Sequence, residues 1–262
     1  MKQYYFISGL PRSGSTLLSG ILKQNPEFYA DISSPVERIT LKSVDDISNN
    51  FYVPEEQIKN LFYGIFDGYY KHIEKPIIFD TSRAWTRRTN FLKLLFPYTK
   101  IICCVRDIAS ILNSFENIFS KSSFYKNKLL KYSDDVYNRC SEMMCENTGI
   151  VKVPLIFLNE GCAANPEMIH IIEYKNLCTQ PEKTIRKVYE FLEKPYYDHN
   201  FENVEYSNEN FDRQYNLKNF HTVKKRVDYK PPRCILPPEI VKKYEEMNLE
   251  FWRSEKKFID YK

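Results

Sequence analysis

Four short apolar runs punctuate the chain, at Tyr4 to Ser8, Ile77 to Asp80, Lys100 to Val105 and Met168 to Tyr174. Runs of this length without strict alternation predict strands buried on both faces. Between them lie stretches with helical spacing. Ser15 to Gln24 is bounded by Asn25-Pro26, and Pro54 to His72 carries Leu61, Ile65 and Tyr69 on its predicted sheet-facing side. Trp85 to Phe96 is closed by Pro97, and a helix capped by Asp107 runs from Arg106-Asp107 to about Phe119. Pro181 to Leu192 is amphipathic, with Ile185, Val188, Tyr189 and Leu192 facing inward. Strands alternating with helices predict an α/β fold, a parallel sheet covered on both faces.

Elsewhere the pattern is weaker. Residues 27 to 53 contain Ser33-Ser34-Pro35 and read as a loop turning into a short helix near Val36 to Thr40. Residues 124 to 148 read as a polar helical segment, a candidate lid over a pocket. From Lys194 to Pro238 the pattern is irregular, and a last helix is expected near Pro238 to Trp252. No repeat or linker divides the 262 residues, so one domain is expected, with 194–262 as a C-terminal extension packing on it.

Composition narrows the function classes. A hydrophobic content of 43% supplies a full core, and a net charge of +4 is too small for a nucleic-acid binder yet suits an anionic ligand. The seven cysteines include the adjacent pair Cys103 and Cys104 in a core strand and form no C-x-x-C, which predicts reduced thiols and a cytoplasmic setting. No apolar run is long enough to span a membrane, and the chain enters its first strand at once, so no secretory signal is expected.

The chemistry starts at Phe6-Ile-Ser-Gly-Leu-Pro-Arg-Ser-Gly-Ser-Thr-Leu-Leu18. Gly9 and Gly14 have the spacing of a phosphate-binding loop, but Ser15 stands where the nucleoside-triphosphate lysine belongs. Arg12 through Thr16 then form an anion cradle at a helix N-terminus.

Gly9-Leu10-Pro11-Arg12-Ser13-Gly14-Ser15-Thr16-Leu17 resembles the 5′-phosphosulfate loop of sulfotransferases that use 3′-phosphoadenosine 5′-phosphosulfate (PAPS), in the form found in the tyrosylprotein-sulfotransferase-like branch. Two further segments, in the same order, carry the resemblance to about residue 193. Val105-Arg106 through Ser114 is similar to the 3′-phosphate motif, which assigns Arg106 and Ser114 to that phosphate; spacing alone does not choose Ser114 over Ser110. Ile172-Glu173-Tyr174-Lys175-Asn176-Leu177, with Pro181 and Phe191-Leu192, is similar to the segment that sets a tyrosine near the nucleotide. Without the resemblance, Arg106 could merely pair with a surface carboxylate, and Tyr174 reads equally as a core tyrosine. His221 to Val227 could close over the nucleotide or form a solvated basic loop.

The resemblance implies a three-layer P-loop nucleoside-triphosphate-hydrolase-like fold, with Pro11 to Thr16, Arg106, Ser114 and Tyr174 binding the cofactor. It implies sulfuryl transfer by in-line displacement, release of adenosine 3′,5′-bisphosphate (PAP), and Arg12 stabilising the leaving phosphate without a metal. The acceptor is left open among small molecules, carbohydrates, lipids and peptides. The base is also open. The tyrosylprotein enzymes use a glutamate shortly after the first helix, where an ungapped alignment puts Ser33. Glu37 lies nearby, Asp80 ends a strand at the same crevice and His221 is a third candidate. Two other classes compete: a P-loop kinase with Asp80 holding magnesium, and a non-catalytic nucleotide binder.

Overall fold

A computed structural model describes residues 2–50, 52–120, 135–207, 212–213, 221–223 and 225–245. Five strands, β1 (Gln3–Gly9), β2 (Phe28–Ala30), β3 (Ile77–Thr81), β4 (Ile101–Val105) and β5 (Ile169–Glu173), form one sheet in the order β2-β3-β1-β4-β5. Every pairing is parallel, with Phe6 beside Asp80 on one side of β1 and Gly9 beside Cys104 on the other. The four predicted strands are present. Phe28–Ala30 is the addition, too short for any periodicity to reveal it.

Side chains alternate across the sheet and divide the core into two layers. Tyr4, Phe6, Ile78 and Cys103 pack on one face with Phe62, Phe66 and Trp85, while Tyr5, Ile7, Phe79 and Cys104 pack on the other with Leu18, Ile21, Val188 and Leu192. The second layer is closed by α1 (Ser15–Leu22) and, near the far end of the chain, the amphipathic Pro181–Leu192, whose predicted inward residues are all buried.

On the first layer, α2 (Val36–Asn50) is three turns longer than the short helix expected, and α3 (Glu55–Tyr69) presents a different face. Phe62 and Phe66 are buried, whereas Leu61 is 49% and Tyr69 38% exposed. The residues one position further on, Phe62, Phe66 and Tyr70, take the core positions, and Phe66 meets the rings of Tyr4 at 5.2 Å and Phe96 at 5.0 Å. The predicted Trp85 to Phe96 helix is a 3-10 turn at Trp85–Arg88 followed by α4 (Thr89–Leu95).

Asp107 caps α5 (Ile108–Phe119) as expected, accepting a hydrogen bond from the Ser110 amide at 2.7 Å. Of the predicted polar segment 124–148, residues 124–134 lie outside the described residues, and α6 (Val136–Met143) is helical. A further helix, α7 (Lys152–Ala164), fits Pro154 into its first turn, where proline is tolerated. After β5 follow α8 (Tyr174–Thr179) and α9 (Pro181–Leu192). Beyond them Tyr206 pairs with Val223, while Val204 and Val227 join the second core layer and Leu236, Ile240 and Tyr244 the first. Residues 238–245 are helical, and the rest of the expected last helix lies outside the described residues.

Candidate active site

With β3 on one side of β1 and β4 on the other, chain direction splits the sheet at β1, and a crevice opens beyond its C-terminal end. The loop leaving β1 fills that position. Gly9 has φ +101°, and a Cβ there would lie 2.1 Å from the carbonyl oxygen of Cys104, so only glycine lets the chain turn against β4. Gly14, at φ +97°, opens α1; a Cβ there would lie 2.8 Å from Cδ2 of Tyr174. The first bond inside the helix runs from the Leu18 amide to the Gly14 carbonyl, which leaves the amides of Ser15, Thr16 and Leu17 without helical partners at the crevice.

Ser13 is fully buried and its hydroxyl is spent on the loop, donating to the carbonyls of Leu10 and, at 2.8 Å, Cys104. That hydroxyl is therefore not free to donate to an anion. Arg12 adopts a left-handed φ of +55°, a conformation that costs a non-glycine residue about 1–2 kcal/mol. That turn sends its guanidinium across to α5, where Nε donates to Ser114 Oγ at 3.2 Å.

The predicted cofactor residues come together. Arg106 donates from Nη1 to the Arg12 carbonyl at 3.3 Å, and its guanidinium lies 4.6 Å from the ring centroid of Tyr174. Its Nε is buried and has no partner among the described residues. Burial, then the cations of Arg83 and Arg106, push Arg12 down to about 10. Burial pushes the Tyr174 phenol up to about 12, against the pull of the two arginines, so it stays neutral at physiological pH.

Two cavities meet at the loop. One, of about 360 Å³, is lined by Arg12, Gly14, Arg106 and Tyr174 together with Arg226 and Lys230. The other, of about 440 Å³, lies on the β3 side against Leu10, Ile32, Phe115 and α7. Ser15, Thr16, Arg83 and His221 line both.

The two carboxylates predicted as bases line neither. Asp80 is fully buried, and its carboxylate accepts from Ser34, from Tyr70 at 2.5 Å and from Trp85 Nε1 at 2.6 Å. Burial raises its pKa and the three donors oppose that rise. Strand alternation explains the placement: Asp80 pairs with Phe6 and shares its face, turned under the helices and away from the sheet end. Glu37, in the first turn of α2, is half-buried, and its carboxyl, raised by burial, leans on Arg88 and Ser82.

His221 stands at the junction with a carboxylate partner. Its Nδ1 lies 2.6 Å from Asp212 Oδ1, and its backbone amide donates to Oδ2 at 3.0 Å. Burial lowers its pKa, Asp212 opposes this, and Arg12 and Arg83 lower it further, which keeps the imidazole neutral at pH 7. With Nδ1–H donated to Asp212, the lone pair sits on Nε2. Arg83 is the junction residue that the sequence reading missed. Its one signal is position, just past the end of β3, where ligand-facing residues collect.

Among the described residues, no group of three or more His, Cys, Asp or Glu side chains is disposed to hold a metal ion, and no helix is long and apolar enough to cross a membrane.

Known proteins share this architecture. The sulfotransferase domain of the curacin biosynthetic pathway superposes with a TM-score of 0.56 at 16% identity, covering 97% of this chain and 98% of its own. The corresponding domain of the Synechococcus PCC 7002 olefin synthase gives 0.54 at 18%, covering 95% and 96%. A mouse sulfotransferase complexed with PAP gives 0.55 at 13%, covering 98% and 86%. At such identities the likeness is one of fold. Among curated proteins, sequence comparison finds no match. The sequence profile of the sulfotransferase family, however, matches residues 5–198, from the first strand through the last helix of the sheet layer, and on that match the chain belongs to the sulfotransferase family.

Proposed function

We propose that this sulfotransferase takes its sulfuryl group from PAPS and transfers it to a hydroxyl or amine acceptor by in-line displacement. The observation that carries the reading is the convergence of Arg12, Arg106, Ser114 and Tyr174, from three separate segments, around Gly14. The buried, unpartnered Nε of Arg106 supports it, because such a donor calls for an acceptor that only a ligand would bring.

In this reading Arg106 and Ser114 hold the 3′-phosphate and Tyr174 flanks the nucleotide. Pro11 to Thr16 form the cradle for the 5′ end, mainly through backbone amides. When bound, the donor supplies electrophilic sulfur and departs as PAP. Arg12 and the amides bear the charge that develops on the phosphate oxygen as its bond to sulfur breaks. His221 accepts the acceptor's proton at Nε2 as the new bond to sulfur forms, while Asp212 fixes the ring and stabilises the imidazolium. His221 replaces Glu37 and Asp80 in this role because it lines both cavities and they line neither. The seven cysteines, five of them buried, suit a reducing compartment, and we assign the protein to the cytoplasm.

Calorimetry tests the reading. PAP is expected to bind with one-to-one stoichiometry and ATP-magnesium far more weakly. Tight ATP-magnesium binding without PAP binding would replace it with a kinase.

A further inference from the structure

Asn113 and Ser114 are neighbours on α5 with separate partners. Ser114 Oγ accepts from Arg12 at the cofactor loop, whereas the Asn113 side chain, buried, turns to the C-terminal extension. Its Nδ2 donates to the Arg233 carbonyl at 3.2 Å, and its Oδ1 accepts from the Ile235 amide at 2.9 Å. Asn117, one turn on, donates to the same Arg233 carbonyl at 3.2 Å and to Asn113 Oδ1 at 3.2 Å. Residues 233–235 belong to no helix or strand, so these side-chain amides supply the bonds that a sheet neighbour would.

This clasp is joined to the nucleotide cavity by Lys230-Pro231-Pro232-Arg233. Proline fixes its own φ and confines the residue before it to extended backbone, so the three steps from Lys230 to Arg233 form a stiff spacer of about 9 Å. On the other side Val227 is buried in the second core layer, and its amide donates to the Phe201 carbonyl at 2.9 Å. Between these anchors Tyr229 lies 6.0 Å from the ring of Tyr174, on which Arg106 stacks, and Lys230 lines the cavity. Lys230 Nζ lies 2.6 Å from Asp228, an exposed pair that contributes little and yields to a phosphate.

We propose that Asn113 is a positioning residue for the donor nucleotide: through the Pro231-Pro232 spacer it holds Lys230 at the end of the cavity marked by Arg106 and Tyr174, and so sets the preference for a bisphosphate over a monophosphate. This rests on the donor reading above. A lysine on a free loop would lose its freedom when the ligand binds, whereas one already held in place loses little.

Calorimetry with PAP and with adenosine 5′-monophosphate, which lacks the 3′-phosphate, tests the proposal. Asn113→Ala should weaken PAP binding by about tenfold and monophosphate binding by less than about twofold. Lys230→Ala alone should weaken PAP binding by about fivefold, and adding it to Asn113→Ala should cost less than about twofold more. Pro231→Gly with Pro232→Gly changes only exposed positions and removes no hydrogen-bond donor, so it serves even where Asn113→Ala fails to fold. It should weaken PAP binding by about threefold or more and leave the monophosphate within about twofold. Equal losses for the two nucleotides, independent losses from Asn113→Ala and Lys230→Ala, or unchanged PAP affinity in the glycine variant overturns this inference and leaves the donor assignment standing. Absence of PAP binding to the unsubstituted protein overturns the donor assignment itself.

Discussion

The guanidinium of Arg106 stacks 4.6 Å from the ring centroid of Tyr174, and the same ring sits where a Cβ on Gly14 would have to go. This contact ties the end of β5 to the end of β4 and to the start of α1. A cation on an aromatic face contributes about 0.5–2 kcal/mol. Tyr174→Leu is therefore expected to weaken PAP binding by about twofold to thirtyfold, and Tyr174→Phe by less than Tyr174→Leu does, both read by calorimetry.

Gly14→Ala tests the loop beneath that ring. The substitution strains a φ of +97° and forces a methyl to within 2.8 Å of Tyr174. Thermal denaturation should show a loss of about 1–2 kcal/mol, and PAP affinity should fall beyond what Tyr174→Leu produces. Unchanged affinity would mean that the loop does not approach the ligand.

Substitution distinguishes the proposed base, His221, from the buried carboxylate of Asp80. Asp80→Asn should lower stability by about 2–3 kcal/mol, since three donors converge on a buried carboxylate, while kcat per folded molecule stays within about threefold. His221→Gln should lower kcat by about a hundredfold or more with PAP affinity nearly unchanged. The opposite pattern would return the base to β3.

The pH dependence has a definite sign. A base that must be neutral loses activity as pH falls through its pKa, and burial with Arg12 and Arg83 lowers that of His221 below its ordinary value of 6.5. The acid limb of kcat/KM should therefore lie below 6.5. Asp212→Asn removes the attraction that favours the imidazolium, so the limb should move to still lower pH as kcat falls. A limb that stays in place in Asp212→Asn would break the link between the two residues.

Acid should also destabilise the fold itself. His199, 6% exposed and hydrogen-bonded to Tyr189, is pushed down to about 4 by burial, and His170 likewise to about 4. A group with a depressed folded pKa binds fewer protons in the folded state than in the unfolded one, so stability declines as pH drops from 6.5 toward 4. Urea denaturation at pH 7 and pH 5 should show the drop, and His199→Phe should reduce it.

How far the sequence could be read follows from where its information is local. The glycine loop is legible because Gly9 and Gly14 have the spacing that its two positive-φ turns require, and Asp107 because a cap acts within one helical turn. Tertiary competition decides the face of α3: Leu61 and Phe62 both suit a helix, and only the facing rings select Phe62. The proposed base is least legible. Asp80 and Glu37 lie close to the crevice in sequence, but strand pleat turns Asp80 under the helices, and Glu37 is half-buried against Arg88 and Ser82. Asp212 and His221 meet across a nine-residue separation that leaves no periodic mark.

The central claim is sulfuryl transfer from PAPS at the junction of the two cavities. The most direct measurement incubates the protein with PAPS labelled in its sulfuryl group and a mixed pool of hydroxyl acceptors, and quantifies PAP and labelled product together. Equal molar amounts of the two, abolished by Arg12→Ala, are predicted. Tight PAP binding with no label leaving the donor, or a transfer rate untouched by Arg12→Ala, would contradict the account.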